Sequence, residues 1–321
     1  MKILANDGIS KSGVKALEDA GFEVIITKVA QEQLARFLAE ENIDVLLVRS
    51  ATQVRKDIID SCPNLKVIGR GGVGMDNIDV EYARNKGLFV INTPASSSGS
   101  VAELVFAHLF SGVRYLHDAN RNMPLSGDTK FKDLKKNYAG GTELRGKTLG
   151  IIGMGKIGRE VAKIALGIGM NVIGCNRKEA GQIDIMLEFY NDQTINIPVK
   201  TLPLEDIFMQ SDFISLHVPA QNKALIGKEE ISKMKDGVGI INTARGGVID
   251  EVALIDALES GKVSFAGLDV FENEPTPAVK VLMDQRISLS PHIGAATTEA
   301  QERIGAELAE QIISLLKGDK S

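Results

Sequence analysis

Tryptophan is absent from this chain of 321 residues, and aromatic residues together make up only 5% of it. Cysteine is nearly as scarce. Cys62 and Cys175 lie far apart and form no pair signature, which argues against a disulfide framework and a thiolate metal site and fits a reducing, cytoplasmic setting. No metal is expected. No run of 18 apolar residues occurs, and the opening stretch MKILANDGI has one early lysine but neither a sustained apolar region nor a small-residue cleavage pattern. Membrane insertion and export therefore find no support. Charge of one sign is also lacking: 37 Lys and Arg stand against 42 Asp and Glu, a net charge of −5, and the basic block at 130–136 stands alone. Nucleic acid is not an expected partner, although a local cation cluster suits a small anionic metabolite.

What is present is 44% hydrophobic residues, 25% charged residues and 32 glycines, the composition of a globular protein with many turns. The length suggests two cores. Short Val/Ile/Leu-rich runs at 3–5, 22–26, 44–48, 67–68 and 88–91 alternate with helix-like segments, as strands covered on both faces of a parallel sheet do. A second and larger series follows at 148–152, 171–175, 197–199, 213–216, 238–241, 265–268 and 287–289. Between the two, 98–116 reads as a long helix whose apolar face is wider than one sheet requires, suggesting a homodimer contact. Residues 120–146 read as a polar link of little regular pattern, an arm or functional loop. The last helix, 297–316, carries Ile304, Leu308, Ile312 and Leu315 at helical spacing and could return across the first domain. The expected architecture is α/β, with a discontinuous domain of 1–96 and 296–321 and a second of 97–295.

The most specific local signal is TLGIIGMGKIG, residues 148–158. An apolar strand runs into Gly153, Gly155 and Gly158 with the G-x-G-x-x-G spacing of a dinucleotide-binding turn. The first glycine makes the turn, the second lets a pyrophosphate approach the backbone, and the third lets the following helix pack on the strand. Gly150, Gly155 and Lys156 also match a phosphate-loop spacing, but Ile157 stands where that motif needs a metal-binding hydroxyl. Twenty-three residues beyond Gly153, where a dinucleotide fold places an acidic residue on the adenosine ribose, stands Asn176, followed by Arg177. NAD is expected, and NADP is physically allowed because no carboxylate repels its 2′-phosphate.

Four histidines are available for acid–base work. His108 and His117 fall in helical sequence, where packing or a surface role is at least as natural as chemistry. His217, followed by Val218 and Pro219, ends a strand bordering the expected crevice and suits a cofactor-side role. His292, in SPHIGA, follows another apolar strand into the same crevice, where an imidazole can exchange a proton with a reacting oxygen. Arg245 in INTARGGVID and Glu274 in GLDVFENEPTP lie just beyond strands. The arginine can clamp a carboxylate, and a carboxylate beside a histidine fixes its orientation and favours its protonated form. Glu272 competes with Glu274 for that role, and spacing does not separate them.

GMGKIG, INTARGGVIDE, LDVFENEP and SPHIGA together resemble the D-isomer-specific 2-hydroxyacid dehydrogenases, over nearly the whole chain. The resemblance implies a Rossmann nucleotide-binding domain and a flavodoxin-like substrate-binding domain. It makes Arg245, Glu274 and His292 catalytic. It gives Asp269 the nicotinamide carboxamide, sets Lys156 and Ile157 at the pyrophosphate, lines the cleft with Thr243 and Ala244, and closes its nicotinamide end with His292, Gly294 and Ala295. VRSATQVRKDII, IGRGGVGMDNID and INTPASSSGSVAELV resemble the phosphoglycerate-oxidising subgroup. That likeness implies reversible hydride transfer from 3-phosphoglycerate to NAD in serine biosynthesis. Substrate contacts are then expected from Arg49, Ser50, Arg70, the backbone of Gly72, Val73 and Gly74, and Lys136. A short form without a serine-binding regulatory domain is expected. The alternatives are a D-lactate, glyoxylate or hydroxypyruvate reductase, or a dinucleotide-sensing interaction protein on the same fold.

Overall fold

The computed structural model describes residues 1–176 and 180–318, which divide into two compact units: Met1–Ser100 with the chain from Ala295 onward, and Val101–Gly294. The sequence reading placed the corresponding breaks after residues 96 and 295.

The first unit alternates strands and helices as β1 (Lys2–Ala5), α1 (Lys11–Asp19), β2 (Glu23–Ile25), α2 (Gln31–Glu40), β3 (Val45–Val48), α3 (Lys56–Ser61), β4 (Val67–Arg70), α4 (Val80–Asn85) and β5 (Phe89–Asn92). The strands are parallel in the order β2-β1-β3-β4-β5, the doubly wound arrangement of flavodoxin-like sheets. All four residues of β3 are buried, which is why its sequence, VLLV, shows no alternation.

Helix α5 (Ser98–Val113) leads into the second unit. There follow α6 (Leu116–Ser126), α7 (Phe131–Asn137), β6 (Thr148–Ile152), α8 (Lys156–Gly167), β7 (Asn171–Cys175), β8 (Gly181–Glu188), β9 (Thr194–Thr201), α9 (Leu204–Gln210), β10 (Phe213–Leu216), α10 (Lys228–Lys233), β11 (Val238–Asn242), α11 (Glu251–Ser260), β12 (Val263–Leu268), α12 (Val279–Met283) and β13 (Ile287–Leu289). α13 (Thr298–Lys317) packs on α1 in the first unit, where Gly305 approaches Gly13, and sets its buried Ile304 and Leu308 against Gly71 and Gly69 at the end of β4. In the large sheet the strand order is β13-β12-β11-β10-β6-β7-β9-β8. The central six strands reproduce the Rossmann order, with the direction of winding reversing between β6 and β10. A crevice at the carboxyl ends of those two strands is the expected ligand site.

Three local features depart from the sequence reading. The stretch expected as an irregular link holds α6 and α7, and the preceding helix ends at Val113, before Tyr115 takes φ 55. Polar, lysine-rich composition hid them, since α7 buries only Leu134 and α6 buries nothing. Strand β8 was not anticipated, and β9 begins three residues early. They form an antiparallel hairpin with Ile185 opposite Ile197 on the edge of an otherwise parallel sheet. Finally, the wide apolar face of α5 is largely consumed within its own unit: Ala102, Val105, Phe106, Leu109 and Val113 are all buried in one core cluster with Phe265 and Leu149. Phe110 remains 46% exposed.

Candidate active site

The crevice is built first from backbone. β6 ends at Ile152, Gly153 turns at φ 102, and α8 starts with Gly155 as its N-cap. A Cβ on Gly153 would lie 2.3 Å from the His217 carbonyl oxygen, and one on Gly158 would lie 2.1 Å from the Gly153 carbonyl oxygen. Both contacts are impossible for a larger residue. Around the Cβ position of Gly155 there is open space, so an anion can approach the N–H groups at the start of α8. Lys156 is exposed there and Ile157 half-buried.

A cavity of about 950 Å³ opens beside this turn, between Gly153 and Gly155 on one side and His217, Val218 and Pro219 on the other. Asn176 also lines it, with its Oδ1 accepting the Met154 N–H at 2.8 Å. Arg177 lies outside the described residues. His217 Nε2 lies 2.8 Å from Ser215 Oγ, while its Nδ1 is buried without a hydrogen-bond partner among the described residues. Burial pushes the pKa of this imidazole down to about 3, so the ring is neutral near neutral pH. Thr243 Oγ1, at the end of β11, is likewise buried and without a partner among the described residues, and Ala244 is buried beside it.

Side chains dominate the far end of the sheet. Asn242 staples the turn after β11, accepting the Ala244 N–H at 3.0 Å and donating to the Arg245 carbonyl at 2.9 Å. Arg245 itself donates from Nη1 to the Ala244 carbonyl at 2.6 Å. Beyond β12, Glu274 Oε1 accepts the Phe271 N–H at 3.0 Å, and its Oε2 lies 2.8 Å from His292 Nδ1 beyond β13. Glu272 points elsewhere: it exchanges hydrogen bonds with Glu251 at the start of α11, accepting at 3.0 Å and donating at 2.8 Å. Spacing leaves the two glutamates unseparated; in the structure Glu274, the one the resemblance implies, is the one that reaches His292. His292 has φ 55, a left-handed conformation uncommon for a non-glycine residue. What holds it is Asp269. The Asp269 carbonyl accepts the His292 N–H at 2.8 Å, and the carboxylate accepts the N–H groups of Ile293 and Gly294 at 2.8 and 2.9 Å.

The remaining expected residues fall in four places. Arg49 and Ser50, after β3 in the first unit, line a cavity of about 480 Å³ with Asp7 and Lys28; Asp7 Oδ2 accepts the Arg49 N–H at 2.7 Å. Arg70 ends β4 and lays its guanidinium over Gly72, whose Cβ position is 1.9 Å from Nη1. Val73 is 36% exposed, and Gly74 is half-buried. Ala295 belongs to the first unit, where its carbonyl accepts from Gln301 at 2.6 Å. Lys136 is exposed on α7 in the second unit. Sequence reasoning missed Leu202, Pro203 and Leu204, which follow β9 into the cavity beside Asn176. The signal available in the sequence is the L-P-L triplet directly after β9.

The sequence profile described as D-isomer specific 2-hydroxyacid dehydrogenase, NAD binding domain, matches residues 106–294. A hydroxypyruvate reductase of Thermotoga maritima is 43% identical over 321 residues, covering 98% of this chain and 98% of the relative. A D-3-phosphoglycerate dehydrogenase of Methanocaldococcus jannaschii is 41% identical over 99% of this chain, which spans only 58% of that relative's length. Among solved structures, a glyoxylate reductase from Paecilomyes thermophila superposes with a TM-score of 0.81 at 30% identity, over 99% of this chain and 95% of the other. The chain belongs to the D-isomer-specific 2-hydroxyacid dehydrogenases. It is an NAD(P)-dependent oxidoreductase acting by hydride transfer on a small 2-hydroxy or 2-oxo acid. The crevice fits that cofactor, since it offers an open approach at Gly155 and is lined by His217, whose buried Nδ1 has no hydrogen-bond partner among the described residues. Among the described residues no helix is long and apolar enough to cross a membrane, and no cluster of three potential metal ligands occurs.

Proposed function

We propose that the protein reduces a short 2-oxo acid, hydroxypyruvate first among them, to the D-2-hydroxy acid with NAD(P)H, and runs the reverse oxidation when substrate levels favour it. The observation that carries this reading is the Glu274–His292 contact at the strand ends neighbouring Arg245. Similarity along the full length of a hydroxypyruvate reductase supports the choice of acid.

When bound, the nicotinamide supplies or accepts the hydride at C2 of the acid. With Nδ1 held by Glu274, His292 has Nε2 to offer. In reduction Nε2–H passes its proton to the carbonyl oxygen as that oxygen gains charge, leaving a neutral ring; in oxidation Nε2 takes the hydroxyl proton. Glu274 orients the ring and balances its charge in the protonated state. Arg245 binds the carboxylate and polarises the adjacent carbonyl.

A second reading, oxidation of 3-phosphoglycerate, is favoured by the cations of the first unit, where Arg49 and Lys28 share a cavity and Arg70 ends the neighbouring strand. Guanidinium groups suit phosphate. Turnover of hydroxypyruvate, glyoxylate and pyruvate with NADH and NADPH, beside 3-phosphoglycerate with NAD and NADP, separates the two. Hydroxypyruvate is expected to show the highest kcat/KM. A higher value for 3-phosphoglycerate, lost together with selectivity in Arg70→Ala, would replace the first reading by the second.

We also propose a homodimer formed on the α5–α7 face, where Phe110, Leu116, Leu125 and Phe131 are exposed. Light scattering at micromolar concentration is expected to give twice the chain mass. A monomer mass would remove this interface.

A further inference from the structure

His108 is the one histidine that neither the cofactor crevice nor the proton-transfer pair uses among those buried in the second unit, and its surroundings are unusually polar for a core residue. It lies on α5, facing the sheet, 4% exposed. Its Nδ1 is 2.8 Å from Ser288 Oγ on β13, and its Nε2 is 2.9 Å from Ser290 Oγ just beyond that strand. Gly267 on β12 permits the approach: a Cβ there would be 2.6 Å from the His108 Cβ.

The proton positions in this chain follow from valence. Ser290 Oγ donates its single proton to Asp269 Oδ1 at 2.6 Å, because a carboxylate only accepts. Ser290 Oγ must then accept from His108, which places the ring proton on Nε2. Nδ1 is left as the acceptor for the Ser288 hydroxyl. Burial pushes the pKa of His108 down to about 4, so the neutral ring with one donor and one acceptor is the form present near neutral pH. At the far end, Asp269 holds the backbone of Ile293 and Gly294 through its carboxylate and that of His292 through its carbonyl.

We propose that His108 is a positioning residue for hydride transfer: its Nε2–H fixes Ser290, Ser290 fixes the Asp269 carboxylate, and Asp269 sets the loop that carries His292 and borders the nicotinamide. The proposal rests on the functional reading above. It assigns a role to a residue that touches neither substrate nor cofactor, and it predicts an effect at one end of the cofactor only.

The test compares His108→Gln, His108→Asn and His108→Leu in the full chain. Glutamine brings an amide N–H to the place of Nε2 and can still donate to Ser290. Asparagine reaches only the place of Nδ1, and leucine offers neither group. The readouts are the Kd for NADH, the Kd for ADP-ribose, which lacks the nicotinamide, kcat on the best 2-oxo acid, and Tm. The Asn and Leu variants are expected to lose about tenfold or more in kcat and to bind NADH more weakly, with ADP-ribose affinity held within about twofold and Gln close to wild type. If Asn and Leu keep kcat and NADH affinity, or if Gln falls with them in step with Tm, His108 is only a packing residue. Nitrogen-15 correlation spectra of the wild-type ring decide independently of any variant's folding: the Nε2–H tautomer is expected, and Nδ1–H overturns the relay. Should wild type turn over no 2-oxo acid, the functional reading fails, while the tautomer and the NADH-against-ADP-ribose split still decide the role of His108.

Discussion

The two ends of the crevice in the second unit recognise by different means. At the carboxyl end of β6 the work is done by missing atoms: Gly153 and Gly158 sit where any Cβ would strike a carbonyl oxygen, and Gly155 leaves space for an anion to reach the backbone. At the ends of β11, β12 and β13 it is done by side chains held in order, with Asn242 stapling the Arg245 turn, Glu274 on His292, and Asp269 gripping the loop. A site made of backbone tolerates almost no substitution but carries no proton. One made of side chains keeps its shape when a single group is neutralised, and loses chemistry instead. Binding and catalysis should therefore separate along the sheet.

The sharpest way to break that comparison is a pair of variants, one from each end. His292→Gln keeps a polar side chain on the loop but removes the proton carrier, so the hydride step in single-turnover experiments is expected to slow by about 10²- to 10⁴-fold with Kd for NADH little changed. Gly158→Ala is expected to do the opposite. Its methyl group would meet the Gly153 carbonyl oxygen at 2.1 Å, forcing α8 off the turn and weakening NADH binding well before it affects the rate from saturated enzyme. Equal losses of affinity in both variants, with folding preserved, would mean that the two ends are not separable.

The difference also explains what was readable in the sequence. The glycine turn was legible because its requirement is local: three spacings within a strand and a helix start. Arg245 and His292 were legible as residues just past apolar strands, although their assembly at adjacent strand ends follows from sheet order, which no single segment contains. Spacing alone does not separate Glu274 from Glu272, since both follow β12 by a few residues and the fold turns one toward His292 and the other toward Glu251. The sequence around His108 shows only a helical residue suited to packing or the surface. Its partners lie about 180 positions away in the chain, beyond any pattern of spacing. The β8–β9 hairpin is a different kind of omission. Ile183, Ile185 and Leu187 fall at every second position, although Met186 breaks the polar alternation between them, and the fully exposed Tyr190 with Asp192 at φ 61 marks the turn. The hairpin's signal is the weaker one of an antiparallel edge, unlike the Val/Ile/Leu-rich runs of the parallel strands.

The smallest expected effect concerns cofactor choice, at Asn176, a side chain that lines the backbone end of the crevice. NAD is the proposed cofactor, with NADP admitted. Asn176 supports its Oδ1 on the Met154 N–H at 2.8 Å, which turns its amide nitrogen into the group available to the cavity. That nitrogen is a neutral donor, equally able to meet a ribose hydroxyl or a 2′-phosphate. Asn176→Asp keeps the same bond to Met154, since a carboxylate oxygen accepts as well as an amide oxygen, and replaces the donor by a negative charge. The residue is exposed, so solvent screens that charge and the penalty stays well below its value in a dry interior. The kcat/KM with NADPH is expected to fall about tenfold while that with NADH changes by less than about threefold. An unchanged NADPH value would show that the 2′-phosphate does not pass Asn176, and that the amide serves only to brace the glycine turn.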